Sequence, residues 1–251
     1  MTNNQKTLNK SLEFEGVGLH TGDKVRMTID PAKTNHGIKF QRLDLPGKPV
    51  IPADIDFVSD TKRSTTLEKD NVKVVTVEHL MSALYALGVN NALVKLNSSE
   101  IPILDGSSKY YVEGIQKVGL KTQDAPLKYV NLPNPTQYKD PDTGSEILFI
   151  PADNFIISVV LDYDNPAFGT MYAEIRDLED YPKEIATCKT FVFLTELEKL
   201  AKANLIKGGG LENAIVVIDR KDTNISEIKK LAHLLGKDNH DIQINGTILN
   251  N

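Results

Sequence analysis

Apolar and polar positions alternate early in the chain. Leu12-Glu13-Phe14 and Lys24-Val25-Arg26-Met27-Thr28-Ile29 have the two-residue period of half-buried strands. The β-branched run Lys73-Val74-Val75-Thr76-Val77 predicts another strand. The period then changes. Leu80, Ala83, Leu84 and Leu87 recur at helical spacing, and Gly88 stands where a left-handed residue would end that helix. Ala92 to Leu96 predicts a strand, residues 101–108 a Pro/Asp/Gly loop, and residues 111–118 a short helix. Residues 119–126 are polar, carry little periodicity and end in proline, so a linker is expected there. Beyond it, strands are expected at 128–132, 146–150, 155–163 and 214–218. A helix is expected at 193–203, a glycine-rich break at 207–210, and a helix at 226–235 with Ser226 as its N-cap.

The expected class is therefore α+β. Two similar α+β domains, residues 1–123 and 124–251, are expected. A weak internal repeat supports their similarity. Thr76-Val77-Glu78-His79-Leu80, a helix and Asn91-Ala92-Leu93-Val94 form one series. Thr190-Phe191-Val192-Phe193-Leu194, a helix and Asn213-Ala214-Ile215-Val216 form the other, with extra residues around the glycine break.

Length and composition narrow the classes. The 251 residues suit one large or two small domains. A net charge of −5 argues against nucleic acid as a partner, since phosphate-gripping proteins carry a basic excess. Cys188 is the single cysteine, so no internal disulfide forms, in keeping with a reducing compartment. The polar N-terminus lacks the apolar stretch of a signal peptide. No run approaches the roughly 20 apolar residues of a membrane helix. The expectation is a cytoplasmic protein without a membrane span.

Candidate chemistry concentrates at Glu78-His79, a carboxylate and an imidazole at a strand-to-helix junction. Composition alone favours a plain reading, with Glu78 complementing the helix dipole and His79 a junction residue. The functional reading is a metal ligand beside a general base. Consecutive residues at a helix start point roughly 100° apart, so one can hold an ion while the other reaches a bound water. The pair is not the H-E-x-x-H arrangement, because Ala83 stands four residues after His79.

Four segments occur in an order that resembles one family: Gly16-Val17-Gly18-Leu19-His20-Thr21-Gly22, Thr76-Val77-Glu78-His79-Leu80, Glu100-Ile101-Pro102-Ile103-Leu104-Asp105-Gly106-Ser107 and Asn213-Ala214-Ile215-Val216-Val217. The chain resembles the UDP-3-O-acyl-N-acetylglucosamine deacetylases, zinc hydrolases of lipid A and lipopolysaccharide biosynthesis in Gram-negative bacteria. The resemblance runs from about Gln5 to Asn251. It implies two domains, each a sheet layered with helices, with the active site between them, and hydrolysis of the substrate's acetamide with release of acetate, His79 as a Zn2+ ligand, Glu78 as general base and Thr190 as an oxyanion donor. Lys189 stands where the family usually has arginine, which keeps charge and loses the forked geometry. Phe191, Phe193, Leu197, Ile206 and Gly209 match the lining of an apolar passage for the acyl chain; on their own they read as a helix face and a loop. His20 is expected either to support the cleft or to be a simple turn residue. Asp105-Gly106-Ser107 reads as a turn, and Lys62-Arg63 as a solvated basic pair. The stretch from Ile225 resembles the Bacteroidetes form, whose intact gene often adds a 3-hydroxyacyl-carrier-protein dehydratase.

The family's other zinc ligands lie in an H-K-x-x-D motif, and no histidine here has aspartate four residues on. His233, His240 and Asp241 read as surface residues rather than substitutes. The chain is thus expected to end before that motif, within an incomplete second domain, and to be inactive alone. The competing expectation is a non-catalytic module that keeps the fold and binds the sugar lipid. A metal-free hydrolase finds no Ser-His or Cys-His arrangement to support it.

Overall fold

Residues 4–163, 169–203, 205–219, 225–234, 243–245 and 248–250 are described by the computed structural model. The strand-period segments of the first half build one sheet. Its strands in chain order are β2 (Leu12–Val17), β3 (Lys24–Pro31), β4 (Ile38–Arg42), β5 (Val50–Pro52) and β9 (Ala92–Leu96), following β1 (Asn4–Leu8). The spatial order is β2-β3-β9-β4-β5, antiparallel except for the parallel β9–β4 pair. Val25, Met27 and Ile29 of β3 turn inward with Ala92, Val94 and Leu96 of β9, as the period of two requires. Between β5 and β9 lie β6 (Val58–Asp60), β7 (Thr66–Lys69) and β8 (Val72–Val74), a separate antiparallel meander, and then α1 (Glu78–Ala86).

α1 buries Leu80, Ala83 and Leu84, and α2 (Lys109–Val118) buries Tyr111, Val112 and Ile115, all in one cluster with the sheet's inner residues. Helix α1 stops as expected, with Leu87 as its C-cap and Gly88 at φ +74°. Tyr111 is fully buried and its hydroxyl donates to the Pro102 carbonyl. Arg42 is also buried. It forks onto Asp44 at 2.9 and 2.7 Å and donates to the Lys73 carbonyl at 2.6 Å, tying the large sheet to the meander.

Several expectations are corrected here. Residues 119–126 are not a free linker: β10 (Leu120–Pro126) pairs antiparallel with β1. The strand expected over 73–77 ends at Val74, and Thr76 takes φ +64°. Helix α2 begins at Lys109 rather than at 111.

The second half opens with two hairpins, β11 (Thr136–Lys139) with β12 (Glu146–Phe149), and β13 (Ile157–Asp162) with β14 (Thr170–Ile175). No strand forms over 128–132. Ile147, Phe149, Ile157, Val160 and Tyr172 are among the exposed apolar side chains of these ribbons. A short helix α3 (Tyr181–Glu184) follows, whose Tyr181 joins the first core and donates to Ser82 Oγ at 2.7 Å. Then β15 (Phe191–Phe193), α4 (Leu194–Lys202), β16 (Ile215–Val217), α5 (Ile225–Leu234), β17 (Gln243–Asn245) and β18 (Ile248–Asn250) form a second layer pair with sheet order β15-β16-β18-β17. Leu194, Leu197, Leu200, Ile206, Val216, Ile228 and Leu249 make its core. Ser226, expected as an N-cap, lies inside the first turn of α5, and Leu235 falls outside the described residues. The two repeat units also differ: β15 and β16 are parallel neighbours, whereas β8 and β9 belong to different sheets. No described helix is long and apolar enough to cross a membrane.

Candidate active site at the start of helix α1

Glu78 and His79 occupy the first two positions of α1, where backbone N–H groups lack helical partners and negative charge is favoured. The Glu78 carboxylate is anchored on one side, Oε2 accepting from the Thr65 amide at 2.9 Å. Its other oxygen faces the ring, Oε1 lying 4.0 Å from His79 Nε2. One oxygen is thus fixed by backbone while the other is presented to the imidazole.

The His79 side chain is 18% exposed. Burial pushes its pKa below the ordinary histidine value, against the opposing pull of the Glu78 and Asp105 carboxylates. The ring is therefore neutral at neutral pH, the form that offers a lone pair to a metal. Its position is held through backbone: the His79 carbonyl accepts from Ser82 Oγ and Ser108 Oγ, each at 2.9 Å. Tyr181 in turn donates to Ser82, so α1, α2 and α3 all bear on this one residue.

Asp105 reads as a turn residue, and it is one: its Oδ1 accepts from the Ser107 amide and hydroxyl. It is also a charge that His79 feels. The next residue, Gly106, has φ +81°, and a Cβ there would fall 1.8 Å from the Asn213 carbonyl oxygen. Only glycine allows this approach. Through it the Gly106 carbonyl accepts from the Thr190 amide at 2.8 Å, and the Thr190 carbonyl accepts from Ile215 at 2.9 Å. The turn thus brings Thr190 of the second half to the residue beside Asp105.

An open cleft of about 810 Å³ adjoins this turn, lined by Phe14, Asp105, Tyr110, Glu113, Lys189 and Glu212 among others. Lys189 donates to the Glu212 carbonyl at 2.9 Å, a single contact that an ammonium makes without a fork.

The other candidates separate. Leu197 and Ile206 are buried in the second core. Phe191 and Phe193 project from one face of β15 and stack edge-on with each other and with Tyr163, ring centroids 5.6 to 5.7 Å apart. Gly209 lies against Ile206, where an added Cβ would sit 3.2 Å from the Ile206 carbonyl oxygen. His20 is in the loop after β2. Its amide donates to Glu100, and its Nε2 is buried without a hydrogen-bond partner among the described residues. Arg63 pairs with Glu196 at 2.7 Å. His233 is exposed, and His240 and Asp241 lie outside the described residues.

Residue types suit a metal at His79: a neutral, largely buried imidazole with a carboxylate beside it. They do not complete a site, since no group of three His, Cys, Asp or Glu side chains able to hold an ion occurs among the described residues. The residue that pattern reading overlooked is Glu100. It is fully buried, and its carboxylate accepts from His20, Thr21 and Thr76.

Residues 5–230 match the model of the family described as UDP-3-O-acyl N-acetylglycosamine deacetylase. The chain is 45% identical to a bifunctional enzyme LpxC/FabZ of Bacteroides thetaiotaomicron over 92% of its own length and 50% of the relative's. Against the bifunctional enzyme LpxC/FabZ of Porphyromonas gingivalis the identity is 42%, over 86% of this chain and 46% of the relative. Against the UDP-3-O-acyl-N-acetylglucosamine deacetylase of Methylococcus capsulatus it is 43%, over 85% of this chain and 70% of the relative. The chain spans about half the length of the bifunctional relatives it matches.

Proposed function

Because the chain belongs to the UDP-3-O-acyl N-acetylglycosamine deacetylase family, we propose that it forms the Glu-His part of a zinc amidohydrolase. That enzyme would act on UDP-3-O-acyl-N-acetylglucosamine in lipid A synthesis. The observation that carries this reading is the Glu78 carboxylate, one oxygen tied to the Thr65 amide and the other facing a buried neutral imidazole. A divalent cation held by His79 and donors outside the described residues would polarise the acetamide carbonyl and acidify a water.

This chain's own residues then have the following work. Glu78 accepts a proton from the water as its oxygen bonds to the acetamide carbon. Thr190 donates its hydroxyl hydrogen bond to the carbonyl oxygen as negative charge develops there. The carbon–nitrogen bond breaks, acetate departs, and the sugar nitrogen gains the proton that completes the amine. The anchored Glu78 oxygen keeps the carboxylate from rotating away. Phe191, Phe193 and the segment around Gly209 guide the acyl chain, the aromatic face of β15 supporting that reading, while Leu197 and Ile206 back it from the core.

The bifunctional relatives support a fused 3-hydroxyacyl-carrier-protein dehydratase in the intact gene product. The test uses that product. Acetate release should fall about 10²–10⁴-fold in Glu78→Gln, the usual contribution of a general base, with thermal unfolding unchanged. A wild-type rate in Glu78→Gln overturns the assignment. Gly209→Tyr should shift preference toward shorter acyl chains, and an unchanged chain-length profile removes the passage.

A further inference from the structure

Glu100 is a fully buried carboxylate to which the proposed chemistry gives no part. Every group aimed at it is a donor. Oε1 accepts from the His20 amide at 3.0 Å and the Thr76 hydroxyl at 3.0 Å. Oε2 accepts from the His20 amide at 3.2 Å, the Thr21 amide at 2.9 Å and the Thr21 hydroxyl at 2.9 Å. A carboxylate can accept at all these places, whereas a carboxamide must turn an NH2 toward donors on one side or the other. Gly18 leaves the space: a Cβ there would fall 2.4 Å from Glu100 Oε2.

Thr76 is the partner that matters. It is buried, β-branched and left-handed at φ +64°, a conformation such residues adopt only when the surroundings impose it. Its neighbours are fixed by backbone, Val75 donating to Ser99 at 2.8 Å and Val77 to Thr65 at 3.3 Å. The Thr76 side chain is fixed by Glu100. Two and three residues on stand Glu78 and His79. The same carboxylate holds the His20–Thr21 loop, whose carbonyls reach the glycine-rich segment: Gly208 donates to Leu19 at 3.0 Å and Lys207 to His20 at 3.3 Å.

We infer that Glu100 is a positioning residue, its buried carboxylate holding Thr76 in the left-handed turn from which Glu78 and His79 enter helix α1. The roles of Glu78 and His79 rest on the function proposed above; the positioning itself is a matter of geometry and is read without turnover.

The test observes the His79 ring in the full chain by histidine-labelled NMR at a fixed pH where the imidazole is neutral. Glu100→Gln should move the His79 ring resonances, and the Thr65 amide, bonded to Glu78, should exchange at least about tenfold faster. Thr76→Gly should leave both near wild type, because glycine takes positive φ unaided. The double variant Glu100→Gln with Thr76→Gly should recover most of the His79 shift. Where Glu100→Gln does not fold, Thr76→Val, which removes only the one hydroxyl, carries the same expected shift. Unchanged His79 resonances in the folded Glu100→Gln or Thr76→Val protein overturn the inference, even if melting falls. Recovery absent in the double variant overturns it too. Zinc added to the intact gene product separates the two readings: an unresponsive His79 ring there counts against the deacetylase, while the Glu100→Gln shift still decides the positioning role.

Discussion

Gly106→Ala is the perturbation with the most definite outcome. Three costs add at this position. Alanine at φ +81° pays the left-handed penalty, roughly 1–2 kcal/mol. Its Cβ would also fall 1.8 Å from the Asn213 carbonyl oxygen, so backbone must move and the 2.8 Å bond from the Thr190 amide is stretched or lost. Overpacking against unyielding atoms costs about 1–3 kcal/mol, and one lost hydrogen bond about 1 kcal/mol. The expected loss is about 3–6 kcal/mol if the two halves stay docked. Gly88→Ala is the internal control. Its φ is +74°, yet nothing lies within 4 Å of an added Cβ, so it pays the conformational penalty alone. Urea unfolding followed by near-ultraviolet circular dichroism of the aromatic side chains, with amide exchange at Thr190, measures both. Equal destabilisation of the two variants, with Thr190 exchange unchanged, would refute the claim that this glycine exists for close approach.

The remaining expectations are smaller in scope. The Arg42 guanidinium holds the Asp44 carboxyl below its usual value. A depressed folded pKa means the pair stabilises above about pH 4 and loses that contribution as pH falls further. Asp44→Asn should therefore flatten the acid limb of a stability-versus-pH curve, and an unchanged limb speaks against the linkage. Tyr111→Phe removes the donor to the buried Pro102 carbonyl and should cost about 1–3 kcal/mol by denaturant titration. Leu84→Ala empties fully buried volume beneath α1 and should cost about 2–5 kcal/mol; a loss under about 1 kcal/mol would show the core collapsing freely there.

What was readable in the sequence tracks what depends on local period. β3, α1 and β9 follow from alternation or helical spacing, and Gly88 from its position after Leu87. The Glu78-His79 junction was legible because a strand-like run gives way to a helical one at that point. β10 was not. Its residues are mostly polar, and it is a strand by virtue of backbone bonds to β1, more than a hundred positions away in the chain. Glu100 was hidden for a related reason. Its donors are 24 to 80 residues distant, and two are backbone amides that no residue type announces. Asp105 has the look of a turn residue and is one, so nothing in the pattern signals that its charge also reaches His79. Thr190 was nameable only by resemblance, since its placement depends on a glycine in the other half.

The ribbons β11–β12 and β13–β14 have a practical consequence. Each is two strands wide, so among the described residues every outer edge carries unpaired N–H and C=O groups beside apolar side chains such as Ile147, Phe149 and Val160. Bare margins of that kind recruit other extended chains and nucleate aggregates. Colloidal behaviour at high concentration is accordingly expected to depend on these two ribbons rather than on the well-packed first core, and charged replacements on their outward faces are the direct route to a tractable sample.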